Sequence, residues 1–412
     1  MTTSGDQQTP ERRSPTFGLT LVLACLAMFG PFSIDTVFPA FKAIGEQFGV
    51  GTVELQQITG VYLFSFAVMS LLHGPVSDAV GRKPVIIIGT LCYAAASVGC
   101  ALSVNLPMLL VFRALQGMSA GSGQIISRAV VRDMFEGPVA QRLMAQIMMI
   151  FSVAPAVAPI IGGWLLVAGD WQVIFWFLAA FGVAMCLLTV LALKETHPPE
   201  DRTPLRLLSL VTGLVGVARH GAFVRLALAG SLGFAGQFLY IVSAPIFIVD
   251  LLGYGEQDFW IFFVPMIGGM VIGAFINARL AHRVTGLQLA SVGFLIAIGA
   301  GVLNVVVSAL PGAPLMPWAV LGPSLISFGI ALCFPILQLA MLDLFPHSRG
   351  AAASMQSFVQ LLLNAVLASV VAPLVTGTVL QLALTSLGFS LVGLVLWGWH
   401  RRSVLGPRNQ LR

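Results

Sequence analysis

Two residues in this chain carry charge where charge is expensive. Asp35 sits in GPFSIDTVFPAF (30–41), the end of an apolar run that begins at Phe17 and holds no other charged side chain. Arg113 sits in a second such run, which begins near Leu106. An ionised side chain at the centre of a bilayer costs about 2.5–3.5 kcal/mol on insertion scales. Such a residue is paired, faces a wet cavity, or performs chemistry. A carboxylate beside a guanidinium keeps its charge, whereas one moved away into a drier setting takes up a proton. A movement that alters their separation would therefore bind or release a proton. The alternative is a fixed salt bridge that only ties two helices together. The depths of the two residues match. Asp35 lies about six residues from the outer end of its run and Arg113 about seven from the same end, at about 1.5 Å of rise per residue.

The elements that must position this pair follow from composition. The chain has 412 residues, is 58% apolar and 9% charged, and has a mean hydropathy of +0.95. A soluble domain carries about 25% charged residues, so most of this surface faces lipid. A bilayer-crossing helix needs about 20 apolar residues. Cutting at charges, Pro and Gly gives spans near 17–41, 55–77, 84–104, 106–131, 143–168, 171–193, 222–249, 259–281, 286–310, 315–342, 351–373 and 376–399. The fold class expected is an all-α integral membrane protein with twelve transmembrane helices.

Lys and Arg set the orientation. Of 21 such residues, all but Lys42 and Arg113 fall in segments that are cytoplasmic if both termini are inside. The net charge of +5 and pI near 9.2 thus report membrane sidedness. A nucleic-acid partner would need a soluble basic face, and none is evident. The cysteines (Cys25, Cys92, Cys100, Cys186, Cys333) lie in apolar spans without paired spacing, so neither a disulfide framework nor a metal site is indicated. The first apolar run continues well beyond Cys25, longer than a signal-peptide core, and is expected to be retained.

The chain divides into a cytosolic tail (1–16), a first six-helix bundle (17–193), a cytoplasmic linker (194–221), a second six-helix bundle (222–400) and a cytosolic tail (401–412). The linker holds an uncharged stretch, 207–218, too short to span and suited to an interfacial helix. The halves echo each other. Gly74–Asp78 matches Gly273–Asn277, Asp133-Met-Phe135 matches Asp343-Leu-Phe345, and Pro39-Ala-Phe41 matches Pro245-Ile-Phe247. The offset stays near about 200 residues, as in six-plus-six transporters built from parallel repeats.

The sharpest local pattern is GPVSDAVGRKP (74–84), a tight turn between the second and third spans. Gly81 can take positive φ, Pro84 suits a first helical turn, and Asp78 can pair with Arg82 or a helix N-terminus. With Gly74, Asp78, Gly81, Arg82 and Lys83 in this spacing, the stretch resembles motif A of the major facilitator superfamily. Arg113 and Gly117 resemble its motif B. Pro155, Ala158, Pro159, Gly162 and Gly163 resemble its motif C, with Ala154 and Ala158 in place of two glycines. Motif C is characteristic of the antiporters in that family. SIDTVFPAF, WQVIFWFLA (171–179) and LKET (193–196) further resemble the Bcr/CflA drug-resistance translocases. Asn277 departs from an acidic residue in the second-half copy of motif A.

The resemblance implies the major facilitator fold, with both termini inside, and a proton-coupled exporter of amphiphilic compounds in a bacterial inner membrane. The proton gradient would drive it, with no cofactor and no metal, and it would act as a monomer. Motif C packing would seal one side during exchange. Neither Asp35 nor Arg113 has a charged counterpart in the second half, where Ile241 and Pro323 stand. The second half offers neutral Gln237, Tyr240, Gln338 and Gln360 as cavity candidates. No phosphate loop and no HExxH motif occurs, so enzymatic readings fail. A proton-linked importer or facilitator of a sugar or metabolite is the alternative. A membrane receptor fits less well, because no sizeable soluble domain exists.

Overall fold

The computed structural model describes residues 17–405, except 136, 281–282, 311–315 and 347. The expected tails at 1–16 and 406–412 lie outside the described residues. The described chain is built of helices, without strands. The first span is broken. Helix α1 (Phe17–Ala27) passes into α2 (Phe29–Asp35), then a 3-10 turn (Phe38–Ala40) and α3 (Phe41–Phe48). The axis bends by 50° at the break. Pro31 explains the bend, because it cannot donate to the Ala27 carbonyl and its ring crowds that oxygen.

The first half continues with α4 (Thr52–Val80), α5 (Arg82–Ala101), α6 (Leu106–Met134), α7 (Gly137–Ala168) and α8 (Gln172–Ala192). The linker carries α9 (Leu207–Ala218). The second half holds α10 (Gly221–Val242), α11 (Trp260–Leu280), α12 (Gly286–Ala309), α13 (Trp318–Asp343), α14 (Arg349–Val366), the short α15 (Ala372–Val375) and α16 (Val379–Leu405). Ten helical segments are long and apolar enough to cross a membrane, and the bent first span makes eleven. Helix α6 supplies the twelfth by length, at about 43 Å for its 29 residues. Its hydropathy is lowered by Arg113, Arg128, Arg132 and Asp133.

Local sequence sets the helix ends. Asn105 Oδ1 accepts from Met108 N–H at 2.9 Å to open α6, with Pro107 in its first turn. Thr285 and Gln288 form a capping box on α12. The seventh span, expected to run to 249, ends as regular helix at Val242 and continues as a π turn (Ile246–Leu251) around Pro245. Glycines then let helices meet closely. A Cβ on Gly117 of α6 would collide with the Tyr62 carbonyl of α4. This fixes the two helices that carry the site.

The end that carries Arg82, Arg132, Arg202 and Arg349 is the basic end, and its opposite is the outer end. Among the described residues, two hydrogen bonds join the halves, both near the outer end. Gln56 Nε2 donates to Val242 O at 3.2 Å, and Gln57 Nε2 donates to Ser369 O at 3.0 Å. Gly60 packs on Ser369, and Gly163 on the Glu256 backbone, in the same region. A cleft of about 450 Å³ on this seam is lined by Lys42, Glu46 and Gln56 from one half and Pro245 and Asp250 from the other. Partial burial raises the Asp250 carboxyl above its ordinary value, and Lys42 across the seam acts in the opposite direction.

Candidate functional site

Asp35 ends α2, where the broken first span turns, and is 3% exposed. Arg113 is fully buried on α6. The two side chains form no ion pair. Arg113 is held by other groups. Its Nε donates to Ile58 O at 3.2 Å, and its Nη1 donates to Ser33 O at 3.3 Å and to Gln116 Oε1 at 2.5 Å. Its guanidinium lies over the Tyr62 ring, 4.5 Å from the centroid, a favourable cation–π arrangement. Nη2 has no partner. Ser33 is two residues from Asp35, so the guanidinium grips the backbone just before the carboxylate.

A second shell of polar groups fixes this arrangement. Gln116 Nε2 donates to Ser97 Oγ at 2.7 Å. Ser33 Oγ and Tyr93 Oη share a hydrogen bond, and Ser33 Oγ also donates to Phe29 O at 2.7 Å. Tyr62 lies within electrostatic reach of both Asp35 and Arg113, and its buried hydroxyl stands beside Ser33 without a well-aligned hydrogen bond. No described residue donates a hydrogen bond to the Asp35 carboxylate. The orphaned atoms Tyr62 Oη, Arg113 Nη2, Thr59 Oγ1 and Gln56 Oε1 need water or a ligand, because buried polar groups are otherwise satisfied. Sequence reading missed Tyr62, Tyr93 and Gln116. Two signals existed: tyrosine occurs only 4 times in the chain, and Gln116 stands one helical turn from Arg113.

The second-half candidates fall in different places. Gln237 is 2% exposed with an unpartnered Oε1, near the aromatic group Phe234, Phe238 and Phe334. Gln360 is half-buried and donates to Asn364 Oδ1 at 3.2 Å. Gln338 is half-buried. The Tyr240 hydroxyl is engaged inside its own bundle, accepting from Asn304 Nδ2 at 2.7 Å. Asn277, at the repeat position of Asp78, donates to Leu332 O at 2.6 Å and ties α11 to α13.

The motif A turn is a closed network at the basic end. Gly81 has φ +112°, a region that favours glycine. Arg82 pairs with Asp78, and its Nε donates to Asp133 Oδ2 at 2.9 Å. Its Nη1 also donates to Ser77 Oγ at 2.6 Å. Lys83 Nζ reaches Val190 O at 2.8 Å. Gly74, a turn earlier, has open space where a Cβ would lie. The repeat partner of Asp133, Asp343, makes a looser pair with Arg349 at 3.7 Å, both exposed.

In motif C, Pro155 and Pro159 lie within α7, and buried Ala158 keeps that helix thin where it packs. Gly162 lies against the Thr36 carbonyl, next to Asp35. At Gly163 a Cβ would stand 2.7 Å from Glu256 O of the other half. One end of α7 thus touches both the carboxylate-bearing segment and the seam.

Two six-helix halves, a polar cluster buried within one of them and a seam closed at one end define a membrane transporter scaffold. The Major Facilitator Superfamily model matches residues 23–369, and this chain belongs to that superfamily. It is 31% identical to the Bacillus subtilis protein YdgK, an uncharacterized MFS-type transporter, over 87% of this chain and 88% of that one. It is 26% identical to a bicyclomycin resistance protein homolog of Haemophilus influenzae, over 91% and 94%. It is 27% identical to multidrug resistance protein D of Escherichia coli, over 88% and 90%. Among solved structures, a peptide transporter POT bound to sulfate matches with a TM-score of 0.76 at 15% identity, covering 97% of both chains. A D-xylose-proton symporter matches with a TM-score of 0.71 at 14% identity, covering 93% and 97%. At that identity these two structures carry the fold alone.

Proposed function

We propose that this transporter is a proton-coupled antiporter that exports amphiphilic compounds across the bacterial cytoplasmic membrane by alternating access. Three observations support the reading. Relatives aligned along most of the chain are named for multidrug and bicyclomycin resistance. Aromatic side chains cluster in both halves, Phe32 with Phe177 and Phe181 in the first and Phe234 with Phe334 in the second. The third carries the proposal: Asp35 is buried with neither a donor nor an ion-pair partner, while Arg113 is held by neighbouring groups.

The chemistry follows from that arrangement. A charged carboxylate in a dry site without compensation is costly, so bound proton offsets the cost of the outer-closed conformation. Opening of the outer end would admit water to Asp35, and Tyr62 and the free Arg113 Nη2 would then stabilise its charge. The proton leaves or enters as the halves rock. A compound bound on the aromatic surface, competing for the same space, would be exchanged against it. Among the described residues the fully buried Asp and Arg side chains lie in the first half, so the second half acts as the moving, largely apolar wall.

The test uses inverted membrane vesicles with a maintained pH gradient and a panel of amphiphilic amines and uncharged antibiotics. Wild type is expected to dissipate the gradient when a transported compound is added. Asp35→Asn is expected to abolish that response while still eluting as a folded monodisperse protein. Unchanged coupling in Asp35→Asn would remove the carboxylate from the proton path. Compound uptake driven into cells, with the same proton stoichiometry, would favour the importer reading.

A further inference from the structure

The motif A turn and the linker are bonded to each other more densely than a passive tether requires. Glu195, just past α8, collects four backbone donors on one carboxylate. Oε1 accepts from Arg82 N–H at 3.0 Å, Thr196 N–H at 3.0 Å and His197 N–H at 2.9 Å, and Oε2 accepts from Lys83 N–H at 3.2 Å. The carboxylate therefore caps the N-terminus of α5, where negative charge is favoured. It also pins the start of the linker to the motif A turn. A Cβ on Gly81 would stand 2.8 Å from Glu195 Oε2 and 2.9 Å from Arg202 Nη2, so the linker lies directly over that glycine. Thr196 Oγ1 donates to Asp133 Oδ2 at 3.2 Å, the same oxygen that receives Arg82. Thr203 N–H donates to Asp78 O at 3.2 Å.

The other end of the linker belongs to the second half. Helix α9 starts at Leu207 and buries Leu214 and Val217. Val217 shares an apolar cluster with Phe223 of α10 and with Ala352, at the basic end of α14. Leu207, Leu208 and Val211 stay exposed, an apolar face suited to the membrane boundary. Between the Thr203–Asp78 bond and the start of α9 only four residue steps intervene, which can extend to at most about 14 Å.

We propose that residues 195–218 form a strap that couples the motif A turn of the first half to α14 of the second, with Glu195 as the positioning residue that pins it. At the basic end, where no described hydrogen bond joins the halves directly, the strap sets how far they separate. Movement of α14 pulls through α9 and the short extended segment on the Asp78–Arg82 network. Loss of that network loosens the limit on opening. The inference rests on the halves rocking, but not on which compound is carried or which ion drives it.

The test separates a strap from a simple helix cap. One variant is Glu195→Gln. A second inserts a flexible Gly/Ser segment of about ten residues after Leu205, leaving every bond described above in place. Spin labels at Arg132→Cys and Leu339→Cys, on a background with the native cysteines replaced, report the distance between halves at the basic end without any substrate. Both variants are expected to lengthen and broaden that distance distribution by about 5 Å or more, within the slack the insertion supplies. Both are also expected to lower transport of a panel compound several-fold. A wild-type distance distribution in the insertion variant would overturn the proposal, even if Glu195→Gln is impaired, because the carboxylate would then be only a cap. If Glu195→Gln does not fold, the insertion variant alone decides. If distances shift in both variants but no compound is ever transported, the strap stands and the export reading fails.

Discussion

Adjacent glycines on α7 make contacts of different kinds, and a single methyl group at each should give opposite readouts. At Gly163 an added Cβ would stand 2.7 Å from Glu256 O and 3.3 Å from Gln257 Cα, both in the second half. An ordinary C···O contact is about 3.3 Å, so the seam must open by roughly 0.6 Å to accept Gly163→Ala. Both opposing atoms are backbone and cannot rotate away. Overpacking of this kind costs about 1–3 kcal/mol. The contact exists only while the outer end is closed, so the cost falls on that conformation alone. The ratio of outer-closed to outer-open molecules should therefore fall by about 5- to 150-fold. Spin labels at exposed Val53 and Trp260, one in each half near the outer end, would read that ratio. Gly162→Ala is the control. Its methyl would collide with the Thr36 carbonyl of the same half, a contact made whether the outer end is open or closed. It should lower thermal stability and leave the ratio in place. An unmoved ratio in Gly163→Ala, or an equal shift in Gly162→Ala, would refute the assignment of Gly163 to the seam.

Two tyrosine-to-phenylalanine changes should separate site from scaffold. Tyr240→Phe leaves the buried Asn304 amide without its acceptor and should cost about 1–3 kcal/mol of stability, measured by denaturation in detergent, with proton coupling intact. Tyr62→Phe removes a hydroxyl that makes no well-aligned hydrogen bond and keeps the ring beneath Arg113. Its stability should be nearly unchanged, while the pH dependence of transport moves; an unchanged pH profile would take the hydroxyl out of the cycle. Asp133→Asn weakens the pair with the buried Arg82 guanidinium and the bond from Thr196. It should cost more than Asp343→Asn, whose pair with Arg349 is exposed and worth at most about 1 kcal/mol. Equal losses in the two denaturation curves would contradict the network described here.

Much of the helix layout was legible because the governing physics is one-dimensional. Apolar run length and charge position mark spans directly, and 207–218 was marked as a helix by being uncharged yet too short to cross. The bend in the first span was also writable in advance, since Pro31 stands four residues after Ala27. Depth arithmetic placed Asp35 and Arg113 near each other, but depth says nothing about rotation around the helix axis. Whether Arg113 faces the carboxylate or the Ser33 backbone depends on where α4 lets α6 sit, and that is decided by Gly117 against Tyr62. The sequence likewise offered Glu195 only as part of a family-like LKET ending. Its four backbone donors come from segments more than 100 residues apart in the chain, a convergence with no local signature.

The asymmetry of the repeat also has a physical reading. Where the first half has Asp78, the second has Asn277, and the substitution changes what the residue can reach. Aspartate accepts only, and needs the Arg82 cation at a turn near water. Asparagine can donate, and Asn277 uses its amide to satisfy the Leu332 carbonyl of α13. Charge is also lost at the positions of Asp35 and Arg113, where the apolar Ile241 and Pro323 stand. Among the described residues the second half buries no Asp, Glu, Lys or Arg as deeply as Asp35 and Arg113, so its movement against the first half strands less charge away from water. Confining Asp35 and Arg113 to one rigid bundle keeps their separation governed by local groups, Ser33, Gln116 and Tyr62. The rocking of the halves then changes what reaches Asp35, water or apolar wall, more than it changes the distance to Arg113.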